Sequence, residues 1–160
     1  MPNTYTQIYI HVIFAVQGRQ SLISKPHREE VYKEIAGVMK AERQKLISIN
    51  GMADHVHILV GLRPDSALSD LVKEIKVAST NLINDKGWVR GRFSWQRGFG
   101  AFSYSRSQIR AVAAYIENQE RHHSRRSFRA EYIDLLEKFE IEYDQEYLFK
   151  FIDDLSSRRG

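Results

Sequence analysis

Hydrophobic and polar positions alternate from the start of the chain. Thr6, Ile8, Ile10, Val12, Phe14 and Val16 fall on one side of residues 4–16, and Tyr5, Gln7, Tyr9 and His11 on the other. That period of two predicts a strand with one face in the core. Ser24 and Pro26 then open a helix whose apolar stripe is Val31, Ile35, Val38 and Met39. "KLISING" and "DHVHILVGL" predict two strands, with Asn50-Gly51 as the turn between them. Ser66 stands where it can cap a second long helix, in which Leu68, Leu71, Val72, Ile75 and Leu82 recur at helical spacing. A basic loop, "NDKGWVRGR", leads into "FSWQRGFGAFSYS", extended chain hinged at Gly98 and Gly100. Ser105 and Gln108 match a capping box ahead of a third helix, "RSQIRAVAAYIENQE". "RHHSRR" closes that helix with positive charge, as its dipole favours. An amphipathic fourth helix, "RAEYIDLLEKFE", and an acidic, aromatic tail follow.

The order β-α-β-β-α-β followed by helices is the split βαβ, ferredoxin-like or RRM-like arrangement, an α+β fold. It places helices on one face of an antiparallel sheet and leaves the other face for a partner. No repeat or linker interrupts the pattern, so residues 1–160 read as one domain, with 128–160 as a C-terminal helix and acidic tail. Composition agrees: 160 residues, 42% hydrophobic, are enough for one ordinary core. The absence of cysteine excludes disulfides and thiolate metal sites. No apolar run reaches the ~20 residues of a membrane helix, and "MPNTYTQIYI" lacks the features of a secretory signal. A soluble cytoplasmic protein is the expectation. The net charge of +4 is uneven: residues 1–130 carry 20 Lys/Arg against 11 Asp/Glu, and residues 131–160 carry 4 against 9. A basic body attracts polyanions, of which nucleic acid is the commonest.

Candidate chemistry begins at "HVH". Residues two apart in a strand point the same way, so His55, His57 and Leu59 share one face and Val56, Ile58 and Val60 the other. The valines and isoleucine take the core, which leaves both imidazoles on the open face, their Cα atoms roughly 6–7 Å apart. Two neutral imidazoles at that spacing can converge on one divalent cation, or can simply be surface histidines on a solvated sheet. Tyr115 and Gln119, four apart, lie on one face of the third helix. Gln119 offers a hard carbonyl oxygen suited to Mg²⁺ or Mn²⁺, and Tyr115 a hydroxyl. His11 faces the same side as Tyr9 and reads as a hydrogen-bonded structural histidine close to that region.

Taken together, "HVH" on a strand and "YIENQ" on a later helix resemble the HUH endonucleases. Within them the match is to the small single-tyrosine transposases of insertion sequences, relatives of the REP-associated tyrosine transposases. The resemblance covers nearly the whole chain, through "VIFAVQGRQSLI", "INGMADHVHILVGL", "LSDLVKEIKVAST", "FSWQRGFGAFSYS" and "VAAYIENQERHH". It implies a metal-dependent single-strand DNA endonuclease and strand-transferase that acts on DNA hairpins. His55, His57 and Gln119 would bind one Mg²⁺ or Mn²⁺. Tyr115 would attack the scissile phosphate and form a 5′-phosphotyrosine link, from which a second 3′-OH rejoins DNA. No dedicated base for the tyrosine shows in the sequence. Family members work as dimers, often with the tyrosine helix of one subunit completing the site of the other, and Gly98-Phe99-Gly100 is compatible with such a swing. Lys73 and Lys76, on a helix that lies near the active site in relatives, are candidates for phosphate contacts. So are Arg90, Arg92, Trp95 and Arg97, which mix cations with an aromatic, and Arg121 and Arg125 just beyond the metal site. Trp95 suits core packing equally well, and the second basic cluster suits a helix C-terminus. A competing reading is a non-catalytic nucleic-acid-binding module that stacks RNA on an open sheet with Tyr5 and Tyr9.

Overall fold

The computed structural model describes residues 3–152; the last part of the acidic tail, 153–160, lies outside the described residues. Strands β1 (Tyr9–Ala15), β2 (Lys45–Met52), β3 (His55–Gly61) and β4 (Gly100–Tyr104) form one antiparallel sheet in the order β2-β3-β1-β4. Helices α1 (Lys25–Ala41) and α2 (Leu68–Lys86) occupy the two crossovers, which gives the expected ferredoxin-like α+β architecture. The strands alternate as the sequence predicts. Val12, Phe14, Val56, Ile58 and Val60 are at most 2% exposed, and they pack with Val31, Ile35 and Met39 of α1 and Leu71, Val72, Ile75 and Ile83 of α2 in one core.

The β2–β3 hairpin differs from the sequence reading. Asn50 pairs with His57 and Gly51 with Val56 inside the ladder, and the turn is Ala53-Asp54. Gly51 is there for close approach: a Cβ would collide with the His55 carbonyl oxygen and lie 2.9 Å from Val56 Cα. Ser66 does not cap α2. The helix starts from Ala67, and Ser66 Oγ instead accepts from Gln44 Nε2 at 2.7 Å. Gly87, at φ 64°, closes α2 in the left-handed conformation that glycine takes without strain.

The opposite sheet face is not left open. Helices α3 (Ile109–Glu117), α4 (Gln119–His123) and α5 (Phe128–Lys138) cover it, with Leu59, Val112 and Ile116 forming a small second core there. The capping box is present: Gln108 Oε1 accepts from the Ser105 backbone N–H at 3.0 Å, heading a 3₁₀ turn before α3. The predicted third helix is then interrupted at Asn118, where φ −97° and ψ 26° leave the helical region. Asn50 secures that break from the sheet, its Nδ2 donating to the Glu117 carbonyl at 3.0 Å. Gly100 sits under α5, where a Cβ would meet the Tyr132 hydroxyl oxygen at 2.6 Å. Packing therefore requires a glycine at this position. No helix among the described residues is long and apolar enough to cross a membrane.

Candidate metal and active site

With α3–α5 in place, the two strand histidines are interior groups. His55 is 2% exposed and His57 fully buried, as is His11 beside them on β1. The expected exposure on an open face is thus corrected, because the C-terminal helices bury the imidazoles. A binding module that stacks bases across this sheet has no free face to use.

Each imidazole is oriented by a partner on its other nitrogen. His55 Nδ1–H donates to Asp54 Oδ1 at 2.7 Å, an arrangement the two-residue hairpin turn creates. The His55 ring stacks on Phe128 with centroids 3.8 Å apart and planes 1° apart. His57 Nδ1 shares a 2.8 Å hydrogen bond with His11 Nε2. His123, at the end of α4, donates from Nδ1 to the Arg126 carbonyl at 2.9 Å. The three Nε2 atoms therefore all turn inward, towards Glu131 of α5. Glu131 Oε1 lies 3.1 Å from His57 Nε2, 3.1 Å from His123 Nε2 and 3.5 Å from His55 Nε2. One ligand atom from each of His55, His57, His123 and Glu131 lies within 4.8 Å of all the others, every residue buried.

Gln119 and Tyr115 reach the same carboxylate from the other side. Gln119, wholly buried, donates from Nε2 to Glu131 Oε2 at 3.2 Å. That bond turns its carbonyl Oε1 to His55 Nε2 at 3.2 Å and His123 Nε2 at 3.0 Å. Tyr115, half-buried, donates its hydroxyl to Glu131 Oε2, and its ring lies 6.0 Å from His57 and 4.5 Å from His122 between centroids. The interruption at Asn118 means that Tyr115 and Gln119 do not share one straight helical face; Glu131 is what unites them. Beyond Tyr115 a cleft of about 330 Å³ opens, lined by Tyr104, Gln108, Val112, Arg126, Glu131 and Lys138 among others.

Electrostatics sort these groups. Burial opposes a charge on His55, but the Asp54 and Glu131 carboxylates outweigh it and raise its pKa to about 9. His57 is lowered from the ordinary 6.5 by burial, against the pull of Glu131. His11 is held well below that value by burial and by His57. Burial favours the neutral acid of Glu131, yet His57, His123 and His55 keep it firmly ionised. The Tyr115 phenol is pushed above its ordinary 10.0 by burial and by the Glu131 charge, so it holds its proton at neutral pH.

Of the expected site residues, the structure therefore gathers His55, His57, Gln119 and Tyr115 in one place, within one chain. Sequence reasoning misses Glu131 and His123. His123 has a signal, since Tyr115, Gln119 and His123 recur every four residues; Glu131 has none, being one acid among several on an amphipathic helix. The predicted nucleic-acid contacts scatter. Arg121 is exposed on α4 and Arg125 just after it, and Arg90, Arg92 and Arg97 are exposed in the connection from α2 to β4. Lys73 is exposed on α2, among Glu42, Asp65, Asp70 and Glu74. Lys76 is turned inward, donating from Nζ to the carbonyls of Gln96 and Gly98 at 2.9 and 2.7 Å, so it clamps a loop. Both lysines belong to a helix on the sheet face opposite the histidines. Trp95 is edge-on to Phe14 and Phe93 and donates Nε1–H to Ser79 Oγ at 2.9 Å. Its ring belongs to the packing and is no stacking platform.

A ferredoxin-like sheet that holds an HUH pair against a tyrosine-bearing helix defines the single-tyrosine class of HUH transposases. The IS200-like transposase family matches over residues 4–119, and this chain belongs to that family. Among curated relatives, the ISDra2 transposase TnpA of Deinococcus radiodurans is 24% identical over 120 residues, covering 71% of this chain and 84% of that protein. Two solved structures share the fold. A transposase of Deinococcus radiodurans R1 superposes with a TM-score of 0.57 at 22% identity, over 73% of this chain and 94% of the other. A REP-associated tyrosine transposase bound to a REP hairpin gives 0.56 at 17% identity, over 72% and 68%. His123 and Glu131 lie beyond the family-matched segment.

Proposed function

We propose that this transposase is a metal-dependent single-strand DNA endonuclease and strand-transferase, with Tyr115 as nucleophile and DNA hairpins as its recognised element. One observation carries the reading: the Tyr115 hydroxyl and the inward-facing His55 and His57 nitrogens meet through a single buried carboxylate. The donor set suits a divalent cation, because the inner atoms are imidazole Nε2 lone pairs, a carboxylate oxygen and the Gln119 amide oxygen. His55, His57 and Gln119 would hold one Mg²⁺ or Mn²⁺. Such an ion supplies charge neutralisation at the scissile phosphate.

The chain's own residues supply the rest. The cleft beyond Tyr115 admits the phosphodiester, with Arg126 at its wall. Tyr115 Oη forms the bond to phosphorus as the P–O3′ bond breaks, giving a 5′-phosphotyrosine link, and the departing 3′-oxygen takes a proton from solvent water to become a free 3′-OH. The phenol proton passes to Glu131 Oε2, already its acceptor, which fills the role of the base that the sequence does not reveal. A second 3′-OH reverses the step and rejoins DNA, so no nucleotide cofactor is consumed. Binding of hairpin DNA is supported by a fold neighbour bound to a REP hairpin and by exposed Arg121 and Arg125 near the site. A homodimer is proposed as the working form.

Incubating a labelled single-stranded hairpin oligonucleotide with wild type and Tyr115→Phe, with and without EDTA, tests this. Wild type cleaves only with divalent metal and Tyr115→Phe does not cleave. Undiminished cleavage by Tyr115→Phe would sink the proposal and leave a water-using hydrolase.

A further inference from the structure

The cleft beyond Tyr115 is larger than a phosphodiester alone requires. Its volume of about 330 Å³ lies within the ~300–1,000 Å³ of pockets that enclose small organic ligands. Val112 and Tyr115 line it from α3, Leu135 and Lys138 from α5, and Tyr104 from the end of β4. Chemistry changes along its length. At one end Tyr115 donates its hydroxyl to Glu131 Oε2. Gln108 and Lys138 lie seven residues from Tyr115 and Glu131 along the two walls, which sets the far end roughly 10 Å away at ~1.5 Å per helical residue. There Lys138 Nζ stands over the Tyr104 ring, 6.0 Å from its centroid. Phe139 holds that ring edge-on at 5.3 Å, and His11 flanks it at 6.3 Å.

These walls suit a flat, uncharged ring with a polar edge better than a second phosphate. Glu131 is held ionised, and Asp134, paired with Arg126, adds another carboxylate, so the cleft does not welcome a polyanion along its length. Val112 and Leu135 give apolar contact, and Tyr104 offers a ring on which a base can stack. Lys138 is exposed and flexible, so an entering base can displace its ammonium towards the DNA backbone. Gln108 Oε1 is committed to the Ser105 N–H and hydroxyl, which leaves the two Nε2 hydrogens for an acceptor on the base edge. We infer that this cleft is a nucleobase subsite: it seats the base immediately 3′ to the scissile phosphate, stacked on Tyr104 with its edge at Gln108. The inference rests on the transposase reading above and adds a second point of substrate contact to it. That nucleotide keeps its 5′-phosphate on Tyr115 after the P–O3′ bond breaks, so its base stays tethered at the mouth of the cleft. Held there, it keeps the phosphotyrosine link aligned while one 3′-OH departs and another arrives. The α5 wall lies beyond the family-matched residues 4–119, so the subsite is completed by the C-terminal segment of this chain.

Single-turnover adduct formation by the wild-type chain, on hairpin oligonucleotides with one abasic site placed on either side of the mapped cleavage point, tests this without any variant. An abasic site at the first position 3′ to the cut lowers the rate at least ~10-fold, the scale of one lost base–aromatic stack, and the same lesion 5′ to the cut changes it by less than ~3-fold. Tyr104→Ala then slows the intact substrate at least ~10-fold and the 3′-abasic substrate no further, whereas Tyr104→Phe behaves as wild type. A tyrosine needed only for packing would slow both substrates equally, and that result overturns the stack. An undiminished rate on the 3′-abasic substrate, or a loss as large on the 5′ side, removes the subsite while the Tyr115 adduct keeps the transposase reading. No adduct on any substrate brings down both.

Discussion

His11, His55 and His57 answer burial in different ways, and the stability of the metal-free chain records the difference. Folded His55, with a pKa of about 9 against an ordinary 6.5, keeps a proton that the unfolded chain has lost between those values. Its contribution is complete below pH 6.5 and disappears as pH rises through 9, by up to about 3 kcal/mol. His11 and His57 are lowered, so below pH 6.5 the unfolded chain takes up protons that the folded chain refuses, and stability falls towards acid. Urea unfolding of EDTA-treated protein should therefore show a maximum near pH 6.5. Saturating metal should abolish the alkaline decline, because an ion replaces the His55 proton. A steady rise in metal-free stability from pH 6.5 to 9 would refute the Asp54–His55–Glu131 arrangement. At this scale "HVH" is legible, since strand alternation alone puts both rings on one side. Glu131 is not, because its role comes from the packing of α5 onto the sheet, and nothing local separates it from Glu137.

Among elements, glycines show where the layers press closest. Gly100 lies beneath Tyr132, the neighbour of Glu131, so Gly100→Ala must displace the Tyr132 ring from its place under α5. We expect it to cost about 1–3 kcal/mol and to weaken metal binding with it. Gly37, on α1 with open space around its Cβ position, provides the contrast: Gly37→Ala should stabilise by about 0.5–1 kcal/mol through helix propensity. Thermal melts of both variants check this, and equal destabilisation would contradict the packing described. Strand and helix identities follow from periodicity, but three local features do not. Asn50-Gly51 has the composition of a hairpin turn, yet the ladder extends through it because Gly51 allows the strands to approach. Ser66 has the character of a cap, yet Gln44 engages its hydroxyl. The break after Glu117 is set by a hydrogen bond from Asn50, 67 positions away in sequence, which no local window contains.

Over the whole molecule, the βαββαβ order can be read from the chain, and with it the ferredoxin-like sheet. The covering of its second face cannot, because an amphipathic pattern shows that a helix has an apolar side without showing which surface receives it. That covering decides which cations can reach DNA at the site. Arg121 and Arg125 are exposed on and just after α4, the helix that carries Gln119, whereas Lys73 lies on α2 behind the sheet. The double variant Arg121→Ala/Arg125→Ala should weaken hairpin binding and flatten its salt dependence, by about 0.7–0.9 in log–log slope for each phosphate that these arginines neutralise in the wild type. Lys73→Ala should change neither, and fluorescence anisotropy across a salt series separates the two outcomes.

The most direct test of the account is the intact mass of the full chain after reaction with a single-stranded hairpin oligonucleotide and Mn²⁺, followed by peptide mapping. The predicted product is a covalent oligonucleotide adduct on Tyr115, formed only with metal. Cleaved DNA with no adduct, or an adduct on any other residue, would contradict it.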